Sequence, residues 1–226
     1  MASITGARVL TYGISEPADL SAKNIEINGL EGLSCSLTYE GKSHKVHSPL
    51  LGEFSVYTIL ASAAVALAEG LDWEMIEKGL STSQVDIRMN HYELPNGVLV
   101  LDDTYNASPS STIAALRLLS ELKGRRVAVL GDMLELGQYE DSGHTQVGKV
   151  AAQAADMLIL VGQRSGIIKK SAIESGFPEE EIHWYENADQ AALAAVNLVH
   201  KGDVMLVKGS NSMRMDRIIQ HLKEHA

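Results

Sequence analysis

From Val98 to the end of the chain, short apolar runs alternate with longer segments whose apolar residues recur at helical spacing, and this alternation constrains the fold more than any other feature. Strands are expected at residues 98–101, 126–130, 157–161, 182–185 and 203–207, and helices at 110–122, 140–154, 165–175, 188–200 and 213–223. The run over 126–130 is almost wholly apolar, so both of its faces must be covered. Antiparallel hairpins rarely achieve that, whereas β-α-β crossovers do. Right-handed crossovers then give an α/β domain with a Rossmann-like, doubly wound, mostly parallel sheet. In such a sheet, ligands bind beyond the carboxyl ends of the strands.

The first half reads differently. Strands are expected at 8–12, 23–28, 33–39 and 42–47, with Glu40-Gly41 as a hairpin turn. Val56, Ile59, Leu60, Ala63, Ala64 and Leu67 then mark a helix over 55–69, ended by Gly70. Asp72 caps a shorter helix running to Leu80. The polar, irregular stretch 81–87 is the expected boundary between a domain at 1–84 and one at 85–226. With 45% hydrophobic and 21% charged residues, the chain can bury cores of this kind.

Composition also excludes some functions. A net charge of −10 makes nonspecific nucleic-acid or anionic-membrane binding a poor fit. Cys35 stands alone, so there is no internal disulfide, and no Cys/His cluster suggests a zinc site. The apolar run at 59–68 is too short to span a bilayer, and residues 1–6 have no signal-peptide core. A cytoplasmic protein is expected, with no membrane partner.

Polar groups and glycines gather after the expected strands. Asp102-Asp103-Thr104-Tyr105-Asn106 follows the strand at 98–101, and Gly131-Asp132-Met133-Leu134-Glu135-Leu136-Gly137 follows that at 126–130. Lys208-Gly209-Ser210-Asn211-Ser212 follows the strand at 203–207. Two carboxylates at a strand end can take a metal, a ribose hydroxyl pair or an amine; equally, they can cap the helix at Pro109 or sit in solvent. Strand alternation favours Asp103 over Asp102 as the ligand. Asp132 and Glu135 can receive an ammonium group, or simply solvate a glycine-bracketed loop. Lys208, with the amides at the next helix start, can hold a carboxylate or phosphate. His144, alone on a helix, is better explained as a packed or hydrogen-bonded residue than as a catalyst. Gly41-Lys42-Ser43 looks like the end of a phosphate-binding loop, but Ser36 stands where the first glycine is needed and a hairpin is the wrong context.

The segment L-D-D-T-Y-N-A-S-P over 101–109 resembles the opening of the C-terminal domain in the Mur ligase family of ATP-dependent amino-acid and peptide ligases. Arg88-Met89-Asn90 lies where that family has an R-[MF]-E-type motif, fifteen positions before Asp103. G-D-M-L-E-L-G at 131–137, H-T-Q-V-G at 144–148 and V-K-G-S-N-S-M at 207–213 resemble signatures of the branch that adds D-alanyl-D-alanine to UDP-N-acetylmuramoyl-tripeptide. The resemblance implies that Arg88 and Asp103 contact ATP. It implies further that Ser55 and Thr58 face the adenine, in the positions of two family asparagines. Tyr105, Asn106, Asp132, Glu135, Lys208 and Ser210 are implied near the substrates. ATP and Mg²⁺ would be the cofactors, the muramoyl-tripeptide and D-alanyl-D-alanine the partners, and the full-length enzyme a monomer. The chain departs from the pattern at Asn90 (usually Glu), Ser55 and Thr58 (usually Asn) and Asn211 (usually Arg).

The 226 residues contain no G-x-x-x-x-G-K-[ST] loop. The chain therefore resembles roughly the second half of such an enzyme, and alone it is expected to be inactive, with no metal ligands of its own. Two other readings stay open: a sister ligase with another amino-acid substrate, and a noncatalytic binding module derived from a ligase.

Overall fold

The computed structural model describes residues 5–14, 17–82 and 89–225. The chain divides into two compact units, Met1–Val85 and Asp86–Ala226.

In the first unit, β1 (Tyr12–Gly13), β2 (Leu20–Ile27), β3 (Leu33–Tyr39) and β4 (Lys42–Ser48) form a four-stranded sheet in that order. β1 is parallel to β2, and β2, β3 and β4 form an antiparallel meander. Glu40 and Gly41 join β3 to β4 with φ of 48° and 76°. Two left-handed residues in succession are what a two-residue hairpin turn needs to match strand twist. The strand expected at 8–12 is nearly absent. There the backbone amide and hydroxyl of Thr11 both donate to Asp19 Oδ2, at 2.7 and 2.6 Å, so a side-chain clasp replaces the ladder. Leu33, Cys35 and Leu37 alternate inward from β3 onto Val56, Ile59, Leu60 and Ala63 of α1 (Ser55–Ala68). Burial pushes the Cys35 thiol up to about 11, so it packs as a small apolar group. α2 (Trp73–Ser81) starts at Asp72, whose side chain accepts from the Met75 amide at 2.9 Å.

The second unit runs β5 (Asn90–Glu93), β6 (Leu99–Asp103), α3 (Pro109–Glu121), β7 (Arg126–Gly131), α4 (Glu140–Ala154), β8 (Met157–Val161), α5 (Ser165–Glu174), β9 (Ile182–Tyr185), α6 (Ala188–Leu198), β10 (Val204–Lys208) and α7 (Asp216–His225). The sheet order is β5-β6-β10-β7-β8-β9, parallel throughout except for β5. Crossovers from β6 through β9 advance in one direction, so α3, α4 and α5 share one face; the return to β10 reverses direction and puts α6, with α7, on the other. Val127, Val129, Ile159, Met205 and Val207 pack with Ala191, Ala195, Ile218 and Leu222 on the α6–α7 side. The intervening Ala128, Leu130, Leu158, Leu160 and Leu206 are buried as well. Both faces are covered, as the near-continuous apolar strands require. The expected doubly wound α/β fold is the fold observed.

Three local differences matter for the site. β6 extends to Asp103, so the two aspartates are the last residues of a strand and not part of the loop after it. The antiparallel edge strand β5 was not anticipated; it contributes only Tyr92 to the core and therefore lacks an apolar run. α7 starts at Asp216, later than expected, because Asn211–Met213 forms a 3₁₀ turn and Arg214 is left-handed at φ 52°. Among the described residues, no helix is long and apolar enough to cross a membrane.

Candidate functional site

Insertion of β10 between β6 and β7 brings three carboxyl ends side by side. Lys208, last in β10, is in register with Asp103, last in β6. Strand alternation turns both side chains to the α3 face. There the Lys208 ammonium donates to Asp103 Oδ2 at 2.6 Å and to the Asn106 carbonyl at 2.9 Å. Lys208 is 2% exposed and Asp103 7%. A lysine and an aspartate this deeply buried are tolerable only as a pair. Asp102 points the other way: its Oδ1 accepts from the Thr104 hydroxyl at 2.8 Å and its Oδ2 from the Tyr92 hydroxyl at 3.4 Å. Burial first, and then the Asp102 charge, push the Tyr92 phenol up to about 12. Neither aspartate caps α3. Ser108 does, in a reciprocal capping box with Ser111.

The loop after β6 leaves Tyr105 and Asn106 exposed. Asn211 Nδ2 donates to the Tyr105 carbonyl at 3.2 Å, so the residue at the expected arginine position ties two loops together. Ser210 joins the third loop. Its amide donates to the Asp132 carbonyl at 3.1 Å, and its hydroxyl oxygen accepts from the Leu134 amide at 2.8 Å. The loops after β6, β10 and β7 thus form one hydrogen-bonded surface.

Asp132 is buried at its base. Its Oδ1 accepts from the Ser165 amide at 2.8 Å, at the start of α5, where the helix dipole favours a carboxylate. Arg164 lies 3.7 Å from Asp132 Oδ2 and 2.6 Å from Glu140 Oε2, and Glu140, then Asp132, hold its guanidinium above its usual range. Gly162, at φ 97°, passes so close that a Cβ there would lie 2.6 Å from the Asp132 carboxylate. Glu135 is exposed and left-handed, at φ 64°. His144 is fully buried; its Nε2 lies 3.1 Å from the Met133 nitrogen and its Nδ1 2.8 Å from the Glu140 carbonyl oxygen. An amide can only donate and a carbonyl can only accept, which fixes the proton on Nδ1. His144 therefore pins the Asp132 loop to α4. One turn further along α4, Gly148 lets α5 approach: a Cβ there would meet the Ile168 carbonyl at 2.6 Å. The H-T-Q-V-G signature is thereby accounted for by packing. Sequence reasoning overlooked Arg164 and Ser165; their one signal was their place just after β8.

In the first unit, Ser55 is buried and its hydroxyl donates to the Leu51 carbonyl at 2.7 Å. Thr58 is exposed on α1. Arg88 lies outside the described residues. At the strand edge of the second unit, no three His, Cys, Asp or Glu side chains among the described residues come close enough together to cage a cation.

Two family patterns match the sequence: the Mur ligase, glutamate ligase domain over residues 87–211, and the Mur ligase middle domain over residues 1–66. The chain belongs to the Mur ligase family. Curated Mur ligase relatives include the UDP-N-acetylmuramoyl-tripeptide–D-alanyl-D-alanine ligases of Bacillus subtilis (strain 168) and Escherichia coli (strain K12). The first is 30% identical over 95% of this chain and 47% of its own length; the second is 35% identical over 92% and 45%. A crystal structure of MurF from Acinetobacter baumannii superposes with a TM-score of 0.81 at 29% identity, over 95% of this chain and 46% of that one. The chain thus spans about half the length of the Mur ligases it matches.

Proposed function

We propose that this chain is part of an ATP-dependent ligase that adds D-alanyl-D-alanine to UDP-N-acetylmuramoyl-tripeptide in peptidoglycan precursor synthesis. The observation that carries the proposal is the single surface made by the loops after β6, β10 and β7, in a chain whose named relatives perform that reaction. ATP, when bound, supplies the phosphoryl group that turns the tripeptide carboxylate into an acyl phosphate, which the dipeptide amine attacks with loss of phosphate. This half of the enzyme positions the reactants. Arg88 and Asp103 hold the nucleotide, with Lys208 fixing the Asp103 carboxylate and the loop at Asn106. Tyr105, Asn106 and Glu135 present polar groups to solvent beside Asp132 and Ser210, where the dipeptide is received. The buried carboxylates at this edge, Asp103 and Asp132, are engaged by Lys208 and by the Ser165 amide, a donor set that does not fit Mg²⁺. Residues 1–84 belong to the ATP-binding domain and 85–226 to the C-terminal domain.

Phosphate release by the longest product of the gene, with ATP, the tripeptide and a panel of amines, tests this reading. D-alanyl-D-alanine should support turnover well above any single amino acid, and the 226-residue chain alone should show none. Equal turnover with one amino acid would favour the sister ligase.

A second reading, a noncatalytic binding module, draws on Ser55 and Asn211. Both stand where ligand-binding groups are expected, and each gives a donor to a backbone carbonyl, of Leu51 and Tyr105. Absence of turnover with every amine, alongside saturable nucleotide binding, would select it.

A further inference from the structure

Away from the strand edge, α7 carries a group of side chains that the reaction does not use. His221, Glu224 and His225 stand at i, i+3 and i+4, a spacing that puts three side chains on one face of a helix. Each offers a ligand atom, and these atoms lie within 4.8 Å of one another. The imidazole centroids are 4.0 Å apart. Ile218, Ile219 and Leu222 seat the opposite side of α7 in the core, so the group faces outward on a held helix, with His221 half-buried and Glu224 and His225 exposed.

We propose that His221, Glu224 and His225 form a binding site for a divalent transition-metal ion of the zinc type. His225 is already oriented for it. Its Nδ1 lies 2.9 Å from the His221 carbonyl oxygen, which can only accept, so the proton is on Nδ1 and the Nε2 lone pair is left to coordinate. Metal-bound histidines characteristically have this second hydrogen bond, which fixes the tautomer and aims the ring. The site also lies in the last turn, where the helix dipole favours a cation. Cations nearby are turned elsewhere: Lys223 sits 4.1 Å over the Tyr92 ring, and Arg217 pairs with Asp189. Two imidazoles and one carboxylate, with a fourth position for water, suit tetrahedral zinc; calcium and magnesium demand more oxygen ligands. Cysteine-based spacing rules pass over this group because its donors are two histidines and a glutamate within one turn and a half of helix.

The proposal is tested by titrating the 226-residue chain with ZnCl₂ in a non-chelating buffer, reading stoichiometry by equilibrium dialysis and stability by thermal melting. One saturable equivalent of Zn²⁺ is expected, with a rise in Tm, and no comparable rise with Mg²⁺. His221→Ala and His225→Ala should each weaken binding by at least about tenfold and abolish the Tm rise. Glu224→Gln should have a smaller effect of the same sign. All three residues are at or near the surface, and circular dichroism of the metal-free variants checks that they fold. Should His225→Ala disturb α7, His225→Gln, which retains a polar group, provides the same comparison. Failure of the unaltered chain to bind one equivalent, or retention of full affinity by His221→Ala/His225→Ala, overturns the proposal. An equal response to Mg²⁺ also overturns it, since that would reflect general charge neutralisation of an acidic protein.

Discussion

Lys208 and Asp103, 105 residues apart in the chain, end two adjacent parallel strands in the same register, with ammonium and carboxylate 2.6 Å apart. They meet because the last strand of the sheet is threaded between β6 and β7. The pair sits at the point where the crossovers change direction, the position at which doubly wound sheets bind their ligands. Lys208 also closes the following loop through the Asn106 carbonyl, so one buried cation organises both the strand ends and the loop.

Removal of Lys208 should therefore cost more than loss of an ordinary surface lysine. Lys208→Met removes the buried ammonium that donates to Asp103, and urea denaturation should show a destabilisation of about 3–5 kcal/mol. Asp103→Asn alone should also be costly. The double variant should be less destabilised than the sum of the two, because neither charge is then stranded. Strict additivity in this cycle would show that the pair is not energetically coupled.

His144→Ala should loosen the Asp132 loop. The Met133 amide would lose its acceptor inside the protein, at a cost of about 1–3 kcal/mol. Hydrogen exchange should locate the effect: the Met133 amide should exchange much faster, while amides in the middle of β8 keep their protection relative to global stability. Unchanged protection at Met133 would count against His144 as the residue that holds the loop.

Two glycines with nearly the same backbone angle give a controlled comparison. Gly162 has φ 97° and Gly176 φ 91°; a Cβ at Gly162 meets the Asp132 carboxylate at 2.6 Å, whereas one at Gly176 meets nothing within 4 Å. Gly176→Ala should cost only the left-handed backbone penalty, about 1 kcal/mol. Gly162→Ala adds displacement of a buried carboxylate from the Ser165 amide and should cost clearly more in thermal or urea melts. Equal losses would mean that Asp132 can shift without penalty.

Much of this second unit was readable from periodicity. The bounds of α4, β8 and β9 follow directly from apolar spacing, because long amphipathic helices and doubly buried strands leave strong patterns. β5 escaped because an edge strand with one inward residue has no such pattern; the Asn96-Gly97 turn before β6 was its only mark. The strand-end residues of the site were readable as a set, whereas their partnerships were not. Which residue neutralises Asp103 depends on strand order, and strand order is settled by packing over the whole sheet. In the same way, the hydroxyl of Ser55 reads as a ligand group in the sequence, and only the fold reveals that it donates to the Leu51 carbonyl.

The Arg126–Asp156 pair allows a pH test. Asp156 accepts from Arg126 at both its backbone amide and its guanidinium, at 2.6–2.9 Å, and these bonds, the side-chain ones first, hold its carboxyl below 3.8. A carboxyl depressed in the folded state stabilises it fully above the ordinary carboxylate range. That contribution fades as pH falls through the unfolded value and is gone below the folded one. Because the Asp156 side chain is 39% exposed, solvent screening limits the effect to about 1 kcal/mol or less. Asp156→Asn should accordingly be less stable than the parent at pH 7 and pH 5, with the gap closing as pH drops below about 4. Urea midpoints across that range, at fixed low salt, measure it. A gap that stays constant down to the lowest pH would assign the loss to the neutral hydrogen bonds at Arg126 and not to the charge on Asp156.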